Sequence, residues 1–532
     1  MTVDVFGLDP LSVLILAPAL GALLVVGLPP NNKWLARWVS LIISLGIATL
    51  AVIVFFAYDR NLPGYQFVSE VEWFGLLGAS WHVGIDGISA AMVLLTGILV
   101  PLALLISWEV EDRPAMHLAL ILFFETGLMG VFVARDLMIF FLFYELSLVP
   151  IYFLIDQWGG SNRKYAATKF MIYSVGGTLG MLLATQLIGW TAGTFDIDTL
   201  SRIWPDFSGE NGTFLGIDII TVKALAFLGF FVAFGIKLPL WPFHTWLPDA
   251  HSEAPTAGSM LLAGVMLKLG AYGFIRLVIP FFPDVWVSDI NVLSLSFSVA
   301  ELFAFLSMMG IVLGALAAFG QNDIKRLVAY SSVNHMGFVA MGIAVMAVAY
   351  GRAYMEGGID SDLMQSSIIA ANGAVLQMFN HGLSSAGMFL LAGAIYHKTH
   401  TRDLTQYGGL WVKAPIYGGV FIFTSMASLG LPGLNGFVSE FLVVRGSWPV
   451  FTGLTVLAMI GLFFTGSYIL KGIRATLLGP FNLHWRDYHL EIEVREFVAI
   501  APLLVLMLIT GVFPNWILPI INDSVTRIMQ GL

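Results

Sequence analysis

The stretch Ala224-Leu-Ala-Phe-Leu-Gly-Phe-Phe-Val-Ala-Phe-Gly-Ile-Lys237-Leu-Pro239-Leu-Trp-Pro242 decides how this chain is read. An apolar run closes on a lysine, and two prolines follow within five residues. A charge inside hydrocarbon costs about 2.5–3.5 kcal/mol even on the lenient insertion scale, so it is rarely kept without use. Proline strips hydrogen bonds from a helix, which a membrane tolerates only where the freed groups face protein or water. The next residues, His244-Thr-Trp-Leu-Pro248-Asp249-Ala-His251-Ser-Glu253-Ala-Pro255, are dense in proton carriers. A buried lysine beside a broken helix points to an ion path.

Composition sets the class. The chain is 58% hydrophobic and 11% charged, with mean hydropathy +0.86, outside the range of soluble domains. It reads as an all-α polytopic membrane protein. A net charge of −9 with no basic patch leaves no nucleic-acid partner. With no cysteine there are no thiolates for an iron–sulfur cluster and no covalent haem attachment. Electron transfer, if any, belongs to other subunits or to a non-covalent cofactor. Leu11–Leu28 lacks a basic region before it, so it reads as an ordinary span and not a cleaved signal.

Windows of about 20 apolar residues give fourteen candidate spans. Their limits are 11–29, 35–57, 86–107, 116–134, 137–155, 166–190, 221–240, 256–279, 294–319, 325–349, 366–396, 415–441, 449–471 and 497–519. Connections after odd-numbered spans hold fifteen lysines and arginines against seven on the other side, which places both termini outside the cytoplasm. Span seven breaks at Lys237–Pro242. Span twelve breaks at Gly430-Leu-Pro432-Gly433-Leu-Asn-Gly436, and Glu440 follows. Paired breaks five spans apart are what two inverted five-helix repeats produce, and such breaks mark transport sites. Glycine and proline are also simply common in membrane helices. The resulting division is 1–115 (helices 1–3), 116–280 (first repeat, helices 4–8), 281–475 (second repeat, helices 9–13) and 476–532 (helix 14).

Other buried charges follow the same logic. Glu145 stands alone in Leu137-Met-Ile-Phe-Phe-Leu-Phe-Tyr-Glu145, and Lys268 lies mid-span in Leu261-Leu-Ala-Gly-Val-Met-Leu-Lys268. Burial and a nearby opposite charge act against each other on such groups, so a Glu–Lys pair can be tuned to exchange a proton. A static ion pair that packs helices is the alternative. His335 and His381 sit among serine and asparagine side chains that can hold water, and histidine relays protons near neutral pH. Structural histidines or axial ligands of a haem b are the competing readings. Glu125 and Glu301 are candidates to line a polar path. Asp86 reads as a helix cap, and Asp323, Lys325 and Arg326 read as anchors at the membrane interface.

Four stretches carry a family resemblance. They are Phe143-Tyr-Glu145-Leu-Ser-Leu-Val-Pro150, Lys237 through Thr256, Asp323 through Gly337, and Phe437-Val-Ser-Glu440-Phe. The chain resembles, over nearly its whole length, the antiporter-like membrane subunits of respiratory complex I, a family that includes subunits of multi-subunit sodium/proton antiporters and membrane-bound hydrogenases. Glu440, where the sister branches usually place lysine, and the short tail after the last span resemble the branch called subunit M or chain 4. The resemblance implies a non-redox subunit of a proton-translocating NADH:quinone oxidoreductase in a bacterial plasma membrane. NADH or ferredoxin, FMN, iron–sulfur clusters and quinone would then be held by partner subunits, and antiporter-like paralogues would be neighbours in the bilayer. It also implies that Glu145 pairs with Lys237, that Lys268 is central, that His335 and His381 relay protons, and that Glu440 sits at the second break. His244, His251 and Glu125 are further candidates. Two charges about 4 Å apart attract by roughly 4 kcal/mol at an effective dielectric of 20, enough for a switch. Alternative functions are a subunit of a sodium/proton antiporter with no redox partner, and a scaffold for neighbouring subunits.

Overall fold

A computed structural model of the chain describes residues 9–29, 31–75, 78–208, 212–214, 216–292, 295–358 and 360–530. Helices dominate it. Among the described residues, eleven are long and apolar enough to cross a membrane, and two shorter apolar helices, Pro10–Val26 and Pro415–Leu429, accompany them. Peripheral helices turn large apolar residues outward: Leu23, Phe56, Leu183, Ile220 and Phe463 are each more than 70% exposed. In a bilayer such faces meet lipid. Between the helices Lys33–Ala57 and Gly87–Ile106, Gln66–Phe74 pairs antiparallel with Ala79–Ile85, Gln66 standing opposite Ile85.

Three helices form the centre. Thr256–Phe281 and Ile324–Glu356 are buried along their whole apolar length, and Ser361–Thr399 is buried continuously from Ala370 to Ile395. The first of these, expected as the span 256–279, is not a regular α-helix. Leu262–Met266 and Phe274–Val278 are π-helical and flank the α-helical Leu267–Gly273, which carries Lys268. Such one-turn π segments free a carbonyl and concentrate at functional sites.

The predicted spans 221–240 and 415–441 are each interrupted. The helix Ile219–Lys237 starts on an Asp218 side chain that accepts the Thr221 N–H, and it stops at Lys237 because prolines follow. Its last carbonyls are met inside the protein. Phe234 O accepts from Leu238 N at 2.8 Å and Gly235 O from Leu240 N at 2.9 Å. Ile236 O accepts from Trp246 Nε1 at 3.0 Å. In the second interruption Pro415–Leu429 ends on Gly430, whose φ of 81° favours glycine, and Asn435–Ser447 resumes. There Asn380 and Asn435 clasp each other reciprocally, each side-chain amide donating to the other's backbone carbonyl at 2.7 and 3.0 Å. A bilayer supplies no water for these groups, so the protein must satisfy them.

Small residues let the central helices touch. A Cβ on Gly382 would stand 2.8 Å from the Gly264 carbonyl oxygen and 2.6 Å from Leu95. A Cβ on Gly270 would meet Leu238 N at 2.5 Å, so the helix of Lys268 crosses the broken helix beside Lys237. Gly382→Val should therefore push Ser361–Thr399 off Thr256–Phe281. Overpacking of this kind costs about 1–3 kcal/mol, and thermal unfolding of the detergent-solubilised protein should show a lower midpoint than for Gly387→Ala, whose nearest neighbours are the tips of Thr424 and Met507 at 3.0 and 3.3 Å.

Candidate functional site

The three central helices bring their titratable groups together. Lys268 is fully buried. Its ammonium donates to the Ala263 carbonyl freed by the first π segment and lies 2.9 Å from His381 Nδ1. The other ring nitrogen of His381 lies 3.2 Å from Ser332 Oγ. The His335 and His381 ring centroids are 5.6 Å apart, a gap that one water molecule or hydroxyl spans. His335 Nδ1 stands 2.8 Å from Glu440 Oε1, and its Nε2 lies 3.3 Å from the Tyr468 hydroxyl. Glu440 also accepts from Gln377 Nε2 at 3.0 Å, and Ser439 Oγ donates to Gln377 Oε1 at 2.5 Å. Two hydrogen-bonded sets, Lys268–His381–Ser332 and His335–Glu440–Gln377, thus face each other across that gap between the middle of one central helix and the second broken helix.

Lys237 is placed differently from expectation. It is buried, its Nζ has no hydrogen-bond partner, and it stands 4.7 Å from the centre of the Tyr144 ring. No ion pair within 4 Å joins it to Glu145. The two are near enough to interact electrostatically, but beyond contact the attraction falls below the roughly 4 kcal/mol of a touching pair. Glu145 is half-buried with an unpartnered Oε1, and Leu142 and Val149, on the same helix face, are exposed. Glu125 is fully buried with neither oxygen hydrogen-bonded. His251 is buried with both ring nitrogens unpartnered, stacks on Phe389 at 5.1 Å, and feels the charges of Lys268 and Lys325. His244 is half-buried near Tyr330 and outside the central series.

A polar cavity of about 240 Å³ opens at one end of these helices, lined by residues including Glu109, His117, Glu253, Lys325, Arg402 and Glu496. The residues just after His251, Ser252 and Glu253, belong to its wall. Arg402 ties the rim together through Glu253 at 3.0 Å and Asp323 at 3.1 Å. Burial opposes its charge, yet those carboxylates hold the guanidinium above its usual range. Lys398 pairs with Glu496 at 2.6 Å nearby.

Several sequence expectations are corrected here. Lys325 is no interface anchor: it is 3% exposed, faces the cavity and donates to Ala254 O at 3.0 Å. A charge at a helix start usually faces headgroups, but the turn after the first broken helix covers this one. Glu301 lines no polar path, because it closes an exposed capping box with Ser298. Asp86 caps the helix Gly87–Ile106, as expected, but also pairs with buried Arg276. Gln377, Ser439 and Tyr468 were not singled out, since lone polar residues in an apolar span give no pattern to read.

Comparison with known proteins places these residues in a family. A family model described as "NADH:quinone oxidoreductase/Mrp antiporter, TM" matches residues 134–357 and 360–465. The chain is 38% identical over 499 residues to NADH-quinone oxidoreductase subunit M of Rhodobacter capsulatus, covering 93% of this chain and 91% of that one. It is 38% identical over 509 residues to an NAD(P)H-quinone oxidoreductase chain 4 of Synechococcus elongatus, covering 94% and 88%. A chain of respiratory complex I from Thermus thermophilus with bound NADH superposes with a TM-score of 0.80 at 27% identity, covering 98% and 99%.

The contacts of His335 are open to a stability test. His335→Phe leaves buried Glu440 with Gln377 alone, whereas Tyr468→Phe removes a hydroxyl 3.3 Å from His335 and leaves Glu440 both of its partners. Stranding a buried polar group costs about 1–3 kcal/mol, against about 0.5–1.5 for a lost hydrogen bond. Thermal unfolding in detergent should rank His335→Phe as the more damaging.

Proposed function

The chain belongs to the NADH:quinone oxidoreductase/Mrp antiporter family and is a proton-translocating membrane subunit of an NADH or NAD(P)H:quinone oxidoreductase; on that premise we propose how protons cross it. The observation that carries the reading is the buried series Lys268–His381–Ser332 and His335–Glu440 on the central helices.

Protons enter from the cytoplasm at the cavity ringed by Glu109, Glu253 and Glu496, pass the unpartnered His251, and reach Lys268. Lysine carries one proton and its stem can swing, while the imidazole of His381 accepts at one nitrogen and releases from the other. That relay works if His381 Nδ1 is free to accept from Lys268 and its Nε2–H points to Ser332. Ser332 or a water then bridges to His335, which hands the proton to Glu440. Gln377 and Ser439 fix the carboxylate so that it meets His335 in one geometry. From Glu440 the proton leaves beyond the second break.

Drive comes from Glu145. Its half-buried carboxylate sits on a face where Leu142 and Val149 are open, the place for a neighbouring membrane subunit to alter its charge. A change there alters the electrostatic pull on Lys237, whose ammonium has no acid in contact among the described residues and feels Glu145 at longer range, and Lys237 lies where the helix of Lys268 crosses. Adding or removing a charge near Lys237 changes how tightly Lys268 holds its own proton. The two interruptions support fourteen spans in two inverted halves, 116–280 and 281–475, with the cytoplasm on the side of the Glu253 cavity and both termini outside. Flavin, iron–sulfur clusters and quinone belong to partner subunits, since a chain without cysteine offers no thiolates to a cluster. Antiporter-like paralogues are the expected neighbours.

Glu145→Gln and Lys268→Met, each in the assembled complex, should leave quinone reduction measurable while lowering coupled proton uptake several-fold, read by a pH-sensitive dye in membrane vesicles. Full coupled pumping in Lys268→Met would sink the path and favour a scaffold.

A further inference from the structure

A second buried polar series begins one turn from Lys268 on the same helix and is not used by the path above. Tyr272 lies one turn along the α-helical segment Leu267–Gly273, on the face of Lys268. Its hydroxyl contacts Ser89 Oγ at 2.9 Å and donates to Phe132 O at 3.0 Å. Ser89 N–H in turn donates to Asp86 Oδ1 at 3.0 Å. Asp86 forms a buried ion pair with Arg276, a further turn along the lysine's helix, and Arg276 donates to the Tyr65 hydroxyl at 3.2 Å. Asp86, Tyr65 and Arg276 line a cavity of about 420 Å³ at the end opposite the Glu253 cavity.

Lys268 and Arg276 are eight residues apart, so at 1.5 Å per residue about 12 Å of helix separates the central amine from this outer cavity. The Tyr272 and Ser89 hydroxyls and the Asp86 carboxylate stand in that interval. Ser89 reaches Asp86 only through its backbone N–H, which does not relay, so water between the amine, the hydroxyls and the carboxylate would complete the route. The guanidinium at its mouth cannot, because arginine does not release its proton in proteins. Its charge also repels an incoming hydronium, as an arginine does in selective pores. More positive charge surrounds it: Arg202 and Arg527 line the same cavity, and buried Arg135 packs on the Tyr65 ring and pairs with Asp198. Three arginines and two carboxylates, Asp86 and Asp198, thus line the cavity on the side from which protons would return, with Arg135 beside it.

We propose that the Asp86–Arg276 pair closes a second proton route between Lys268 and the outer face, so that the pumped proton leaves only toward Glu440. This rests on the reading of Lys268 as a proton carrier. Asp86 is the acid that would conduct, and Arg276, pinned by Tyr65, is the group that stops it.

The test is passive proton flux through the whole complex in sealed vesicles without redox substrate, after a potential or pH step directed inward from the outer face. Arg276→Gln should leak several-fold faster than the native complex, and Arg276→Gln with Asp86→Asn should be tight again. Arg276→Gln with Lys268→Met should also be tight. A tight Arg276→Gln complex overturns the proposal, as does a leak that survives either second substitution. Should Arg276→Gln fail to assemble, Tyr65→Phe removes only the hydroxyl that pins the guanidinium. It should leak measurably, and a tight Tyr65→Phe complex would again overturn the seal. The Lys268 reading fails separately, if Lys268→Met alone still pumps.

Discussion

An amine at the middle of a membrane protein has no bulk water to solvate it, and the architecture follows from that constraint. Lys268 is held by a carbonyl that a π segment releases and by one imidazole nitrogen, with no carboxylate within ion-pair distance among the described residues. Two helices must approach almost backbone to backbone for those partners to arrive, which is why Gly264 and Gly382 meet. The π segments on either side of Lys268 set the rotation of its helix. The irregularities around this lysine are therefore conditions of its burial.

The same constraint makes the breaks intelligible. A helix that ends inside hydrocarbon leaves carbonyls with nothing to bind. Here Trp246 reaches back to Ile236, and the paired asparagines Asn380 and Asn435 close the second gap. These partners fix the broken ends in position, so charges placed at them, Lys237 and Glu440, hold a defined distance from the central helices. Fixed geometry is what lets a small electrostatic change act on a distant proton carrier.

Much of this was legible in the chain and some was not, for physical reasons. Lys237, Lys268 and Glu145 announce themselves because an isolated charge in an apolar run is costly wherever the run is buried. The contact between Lys268 and His381, 113 residues apart, has no local signature. The meeting of helices at glycines is equally silent, since glycine abounds in membrane spans. Lys325 misled because a cation at a helix start ordinarily reaches lipid headgroups, and only the tertiary turn at Ala254 shows it enclosed. Asp86 reads from the sequence only as a helix cap, and Arg276 as a charge near a span end. Their pairing appears only once the helix Gly87–Ile106 packs beside the end of the lysine's helix.

The open face around Glu145 has a consequence for biogenesis. On the proposed reading, half-buried Glu145, with exposed Leu142 and Val149 beside it, makes the lone subunit a poor solute in lipid until a companion covers that face. On that reading a newly inserted copy carries its own mark of incompleteness, which assembly erases. Matched synthesis of this chain and its neighbour is then a requirement of solubility in the bilayer as much as of stoichiometry.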